Sequence, residues 1–341
     1  MKIGIIGVGA MGGTHADAWT HTPARIVGFV AEHFEHARAM AEKYNAQAYP
    51  DLASLLPHID VIDICTPTHL HSEMVLQAAA AGVDIICEKP LARSVAEGQK
   101  MIRASKEAGV KLLVGHVVRF FPEYVGAKRA VEAGQVGEVA VVRLQRDVFR
   151  PRKTVGNWFL DFERSGGMIL DLMIHDFDYA RWVAGPVKTV FCKHIGDPET
   201  SPGDHGLAIL THENGAISHV EGSWAYPPPT FRTRFEIAGS GGLLIHDSDA
   251  SAPISVYRHK GGDGPSSGSG EAAGDVPVPA SPLLESPYAT QLKAFYDHLR
   301  NGAPLPLSAE DGLAALQIAL AAIESTQTGK PVQIKPLPEV A

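Results

Sequence analysis

The stretch KIGIIGVGAMGG, Lys2 to Gly13, runs a short apolar segment straight into a glycine-spaced turn. Gly7-Val8-Gly9-Ala10-Met11-Gly12 is a GxGxxG, weak alone because glycine-rich turns are common. Here it follows a strand pattern and opens a helix pattern. Gly7 suits the tight turn, Gly9 lets backbone approach a pyrophosphate, and Gly12 lets helix pack on strand. The helix start then offers free N–H groups and a positive dipole end, to which Ala10 and Met11 contribute. This reads as the first βα unit of a dinucleotide-binding fold.

The rhythm continues outward. RIVGFVA, VIDIC, VDIIC and VKLLVG are strand-like, and HARAMAEKY, MVLQAAAAG and VAEGQKMIRASKEAG between them are helix-like. Continuous apolar strands alternating with helices predict a doubly wound parallel sheet covered on both faces. The boundary falls at residues 1–118, leaving 119–341 for a second, α+β part with a large, mostly antiparallel open sheet. Its signals are VKTVFCKHI, a hairpin turn at Glu213-Asn214-Gly215 and TRFEIAG, with two helices at the end. Residues 260–282, rich in Gly, Ser and Pro, read as a mobile loop.

The chain has 341 residues, 45% hydrophobic and 20% charged, with a net charge of −8. That balance argues against nucleic acid or an acidic membrane surface as partner. No run approaches the ~18–20 apolar residues of a membrane span. Cys65, Cys87 and Cys192 make no CxxC, so neither a disulfide framework nor a zinc site is expected, and a cytoplasmic location is. His69 and His71 have no third partner in view, so no metal is expected there.

In an open parallel sheet, ligands sit beyond the carboxyl ends of the strands where their order reverses. Those ends carry Gly7 to Gly12, Thr66-Pro67-Thr68 and Glu88-Lys89-Pro90. Lys89 is therefore aimed where a nicotinamide would lie. Glu32, twenty residues beyond Gly12, suits the ribose hydroxyls and would repel a 2′-phosphate, favouring NAD; His33 beside it leaves NADP open. In GGMILDLMIHDFDYARW, Asp171 and His175 stand at i,i+4 on one predicted helix, and Asp178 extends the stripe. An imidazole on so apolar a helix is a candidate general base.

Taken jointly, GVGAMG, VIDICTPTHLH, CEKPL, SGGMILDLMIHDFD and AEDGLAALQIALAAIESTQTGKPV resemble the Gfo/Idh/MocA family of NAD(P)-dependent oxidoreductases, in order and over nearly the whole length. The resemblance implies that Lys89, Asp171 and His175 meet at a substrate hydroxyl, with His175 as general base, and that His71 contacts cofactor. It implies a sugar or cyclitol dehydrogenase using NAD, with NADP possible, assembled as a homodimer or homotetramer through the second sheet. Arg119, Trp224 and Tyr226 are candidates for the pocket floor, because guanidinium forks and aromatic faces suit polyols. The Arg150-Pro151-Arg152-Lys153 cluster is a candidate anion reader. An NAD-dependent glycosidase of the same fold and a non-catalytic sugar-sensing regulator are the rival readings.

Overall fold

The structure, a computed structural model, describes residues 1–151, 155–196, 203–227, 229–250, 255–258 and 286–337. The expected loop at 260–282 lies outside the described residues, as do Arg152 and Lys153.

The first sheet holds β1 (Lys2–Ile6), β2 (Arg25–Val30), β3 (Gln47–Ala48), β4 (Val61–Ile64), β5 (Asp84–Glu88) and β6 (Leu112–Gly115). All are parallel, in the order β3-β2-β1-β4-β5-β6. Every residue of β4 and β6 is buried, as expected of strands covered on both faces. The covering helices are α1 (Ala10–Trp19), α2 (Phe34–Tyr44), α3 (Leu52–Leu55), α4 (His71–Ala80) and α5 (Val95–Glu107). Strand order reverses between β1 and β4, so the groove for a ligand opens beyond Ile6 and Ile64.

The second sheet holds β7 (Val139–Phe149), β8 (Val187–Ile195), β9 (His205–His212), β10 (Ile217–Tyr226), β11 (Phe231–Gly239), β12 (Gly242–Asp247), β13 (Ser255–Arg258) and β14 (Val332–Gln333). Its order is β13-β12-β11-β7-β10-β9-β8-β14, antiparallel except where β7 and β10 run parallel. The hairpin at Glu213-Asn214-Gly215 joins β9 to β10 as the sequence predicts, with Gly215 at φ 90°. The inner face, carrying Val142, Leu144, Val220, Phe235 and Ile237, is buried.

The helices of this half are α6 (Pro122–Glu132), α7 (Phe162–Ser165), α8 (Gly167–Asp171), α9 (Ile174–Ala184), α10 (Pro287–Asn301) and α11 (Ala309–Thr328). α11 starts on a capping box between Ser308 and Asp311 and stops at Gly329 in the left-handed region. α10 packs on α1, and α11 packs on α5, α9 and β8, so the end of the chain ties both sheets together.

One expectation fails here. The single helix predicted to carry Asp171 and His175 breaks into α8 and α9 at Leu172-Met173. The amide of Met173 reaches back five residues to Met168 O at 3.2 Å, and that of His175 only three, to Leu172 O at 3.4 Å. The corner sits on a notch in the sheet. Gly206 and Gly222 are cross-strand partners on β9 and β10. A Cβ on Gly222 would stand 2.5 Å from Met173 Cγ, and one on Gly206 2.9 Å from Met173 Sδ. Side chains at those positions would push the corner off the sheet.

Candidate active site

The glycine-rich turn has the form a pyrophosphate requires. Gly7 sits at φ 91°, and a Cβ on Gly12 would lie 1.8 Å from Gly7 O, so α1 touches the turn. Gly9, by contrast, has nothing within 4 Å of a built Cβ: its bareness serves the open groove, not the packing of the protein. α1 carries no side-chain cap at Gly9 and no acidic residue in its first turn, which leaves its N–H groups for an anion. Glu32 lies exposed just beyond the end of β2, on the same edge of the sheet. These residues fit a dinucleotide.

Thr66 and Pro67 follow β4 at the groove. His71 acts otherwise than its expected cofactor contact. It is 1% exposed, with Nδ1 2.9 Å from Pro90 O and Nε2 2.9 Å from Thr66 O. Both ring nitrogens face backbone carbonyls, and the neutral ring donates to one of them, so the side chain sits between the Thr66 turn and the Lys89-Pro90 turn. Burial pushes its pKa below the usual imidazole value, with those two carbonyls pulling the other way.

Beyond the cofactor edge, Lys89 and Asp171 meet from opposite halves of the chain. Lys89 Nζ donates to the backbone carbonyl of Asp171 at 2.8 Å and to its carboxylate Oδ1 at 3.2 Å. The helix break makes the first bond possible: in an unbroken helix the Asp171 carbonyl would accept from His175 N–H, which instead turns to Leu172 O. The two side chains are 15% and 11% exposed, enough to meet a small ligand.

His175 opens α9, with its Nδ1 buried and without a hydrogen-bond partner. Burial holds its pKa well below the ordinary 6.5, and the positive charge of Lys89, then Arg146 and His116, push the same way. It is therefore a neutral imidazole at physiological pH, the form a base needs. Asp176 beside it is pinned by a buried bidentate pair with Arg146 at 2.7 and 2.9 Å, which fixes the start of α9.

Two expected substrate contacts, Arg119 and Trp224, are corrected. Arg119 is 1% exposed, and its fork grips Asp178 at 2.8 and 2.7 Å while Nη1 reaches Pro306 O and Asp311. Its donors are spent on holding α9 and α11 to the end of β6. Trp224 is 2% exposed on the inner face of β10, a core residue. Tyr226 follows a register shift at the end of β10 and is half-buried, with burial first and then the nearby Asp147 raising its pKa. Asp147 accepts from Gln145 Nε2 at 2.9 Å.

The sequence reading missed His116, fully buried after β6 with neither ring nitrogen hydrogen-bonded, and 3.8 Å from Asp178. It also missed a cluster of buried His15, Asp63 and Glu88 with half-buried Cys65 under the glycine-rich turn. Donor atoms of the first three lie within 4.8 Å of one another. Trp19 N–H and His15 already occupy Asp63, which makes the cluster a hydrogen-bond network. The available signal was Asp63 itself, a charge inside the apolar strand VIDI, which demands a buried partner.

Comparison with known proteins bears on the whole length. Residues 1–116 match the model of an oxidoreductase family with an NAD-binding Rossmann fold, and residues 124–245 match the GFO/IDH/MocA C-terminal domain. This chain belongs to the Gfo/Idh/MocA oxidoreductase family. Within the family it is 31% identical to the myo-inositol 2-dehydrogenase of Thermotoga maritima, over 98% of this chain and 99% of that one. It is 28% identical to the inositol 2-dehydrogenase of Rhizobium meliloti, over 98% and 99%. Levoglucosan dehydrogenase, solved with NADH and L-sorbose, shares the fold at a TM-score of 0.81, with 22% identity and 99% coverage of both chains.

Proposed function

We propose that this protein is an NAD-dependent dehydrogenase acting on a secondary alcohol of a cyclitol or sugar, with NADP a poorer cofactor. The observation that carries this reading is the grip of Lys89 on the backbone carbonyl and one carboxylate oxygen of Asp171, with a neutral His175 on the following helix and beyond the edge of a dinucleotide-binding sheet. The inositol dehydrogenases among its relatives support the substrate class.

NAD bound at the turn supplies the hydride acceptor. Gly7, Gly9, Ala10, Met11 and Gly12 would hold its pyrophosphate, Glu32 its adenosine ribose, and Thr66, Pro67 and Lys89 would line the remaining edge; the expected cofactor contact of Glu88 is replaced by burial against His15. His175 takes the proton of the substrate hydroxyl. The Lys89 ammonium, oriented by Asp171, stabilises the negative charge that grows on the same oxygen. Neutral imidazole, ammonium and carboxylate thus have separate tasks at one alcohol.

We read residues 1–118 as the cofactor half and 119–341 as the substrate and assembly half of a homo-oligomer. Exposed Ile195, Leu207, Ile209 and Ile217 on β8, β9 and β10 support assembly through the second sheet. The three free cysteines fit a reducing, cytoplasmic location, and no described helix is long and apolar enough to cross a membrane.

The test is a panel of inositols, aldoses, polyols and sugar acids, followed by NADH or NADPH absorbance. Turnover of at least one cyclitol or sugar with NAD, abolished in Lys89→Ala while NADH still binds, is the expected result. Cleavage of a chromogenic glycoside without net NADH would overturn it.

A further inference from the structure

The geometry points to His15 as a positioning residue: held as an imidazolium between Asp63 and Glu88, it locks the helix of the cofactor turn to the strand that delivers Lys89. This inference deepens the dehydrogenase reading and rests on it for the role of Lys89.

His15 lies on α1, three residues after Gly12, and is 0% exposed. Its Nδ1 is 3.0 Å from Asp63 Oδ2 on β4, and its Nε2 is 3.2 Å from Glu88 Oε1 on β5. The second contact has ion-pair spacing without hydrogen-bond alignment. Trp19 Nε1 donates to the same Asp63 oxygen at 2.8 Å, and Cys65 Sγ lies 3.4 Å from His15 Nδ1. From the other half of the chain, the Tyr288 ring on α10 covers the imidazole at 6.2 Å between centroids. Asp63, Cys65, Glu88 and Tyr288 are thus the titratable groups facing it.

A carboxylate only accepts, so an imidazole facing carboxylates through both nitrogens needs a hydrogen on each. In a buried site, two bare acceptors 3.2 Å apart would repel with little screening. Burial opposes the charge, but the Asp63 carboxylate, by its charge and its hydrogen bond, pulls the pKa of His15 well above 6.5, while burial pushes the neighbouring Cys65 thiol up to about 12 and leaves it uncharged. Two carboxylates and one imidazolium leave one net negative charge, and the next residue after Glu88 is Lys89.

The mechanical consequence follows from what each partner is attached to. α1 begins at the pyrophosphate cradle, and β5 ends at Glu88 and passes the chain to Lys89. Glu88 has little room to move, because a Cβ on Gly115 of the adjacent β6 would come within 2.3 Å of its Oε1. Removing the imidazolium leaves two buried carboxylates repelling each other, and Glu88 must shift. That shift moves the root of Lys89 relative to the cofactor.

The test uses the full chain with 15N-labelled histidine. Long-range 1H–15N spectra of the His15 ring, assigned through its backbone, should show both nitrogens protonated at neutral pH. His15→Gln should lower turnover about ten- to a hundredfold, as a small misplacement of a reacting group does. It should also weaken NADH binding, measured by fluorescence. Adding Asp63→Asn restores the net charge and should recover most of the lost turnover. A singly protonated His15 ring at pH 7, or a double variant as impaired as the single one, overturns the inference. If His15→Gln does not fold, the ring spectrum of the unmutated protein decides. The spectrum and the NADH titration need no substrate, so failure of the dehydrogenase reading would show separately, in the substrate panel.

Discussion

Lys89 donates to two oxygens of Asp171, one from the backbone at 2.8 Å and one from the side chain at 3.2 Å. An intact helix would have hidden the first inside its own ladder. The lysine is thus held partly by a carbonyl that no substitution at position 171 removes. Asp171→Asn should keep Lys89 near its place yet deprive it of its counter-charge. Turnover should fall about 10²–10³-fold, the scale of losing one preorganised electrostatic partner. Isothermal titration with NADH should find affinity within about twofold of the parent, since no cofactor contact is lost. A large loss of NADH affinity would mean that Asp171 serves the cofactor and not the lysine.

His175 and His15 respond to pH in opposite directions. The pKa of His175 lies well below 6.5, first through burial and then through Lys89. Its neutral form therefore persists under mild acid, and the acid limb of kcat/KM for alcohol oxidation should lie below pH 6.5, where an ordinary histidine would put it. For stability, a depressed folded pKa gives a contribution present above the unfolded value and lost as pH falls. His15, whose pKa is raised, contributes below the unfolded value and loses its contribution as pH rises through the folded one. In the apo protein, His175→Asn should therefore flatten the acid side of a plot of Tm against pH, and His15→Gln the alkaline side. An acid limb at 6.5 or above would assign the base to another group.

The glycines of the fingerprint separate folding from binding. Gly9→Ala adds a methyl to open space, so the apo Tm should stay within about 1 °C, as for substitutions away from packing. NADH affinity should nonetheless drop about tenfold or more, because the methyl occupies the path of the pyrophosphate. Gly12→Ala drives a Cβ into Gly7 O and should lose both fold stability and binding. Equal damage from the two variants would show that Gly9 has a structural task.

Sequence carried the first half of the fold well, because buried parallel strands and the glycine spacing are local signals. The resemblance carried by CEKP and GGxxxDxxxHD also led to the expectation that Lys89 and Asp171 meet, and the structure brings those two together. Sequence failed where long-range geometry decides. Arg119 has the chemistry of a polyol reader, but Asp178 and Asp311, 59 and 192 residues away, consume its fork. Trp224 has the ring for a sugar, but strand alternation turns it into the core. The i,i+4 spacing of Asp171 and His175 argued for an intact helix, and nothing local announces the break. The corner it forms seats against two glycines, 33 and 49 residues downstream of Met173, on neighbouring strands that only the folded sheet brings together.

That close approach yields the sharpest test of how the site is built. A Cβ on Gly222 would meet Met173 Cγ at 2.5 Å, and Met173 is fully buried, so the α8–α9 corner must lift. Overpacking of this kind costs about 1–3 kcal/mol, which a denaturant melt of Gly222→Ala would register. The corner carries the Asp171 carbonyl, and lifting it lengthens the bond to Lys89. Turnover should then fall well beyond what the lost stability explains, measured at a temperature where the variant is fully folded. NADH affinity should stay near the parent's, because the glycine-rich turn is in the other half of the chain. Trimming the obstructing side chain with Met173→Ala in the Gly222→Ala background should let the corner settle and recover turnover, even though it adds a cavity. Loss of stability with unchanged turnover in Gly222→Ala would show that the depth of the corner does not set the grip on Lys89.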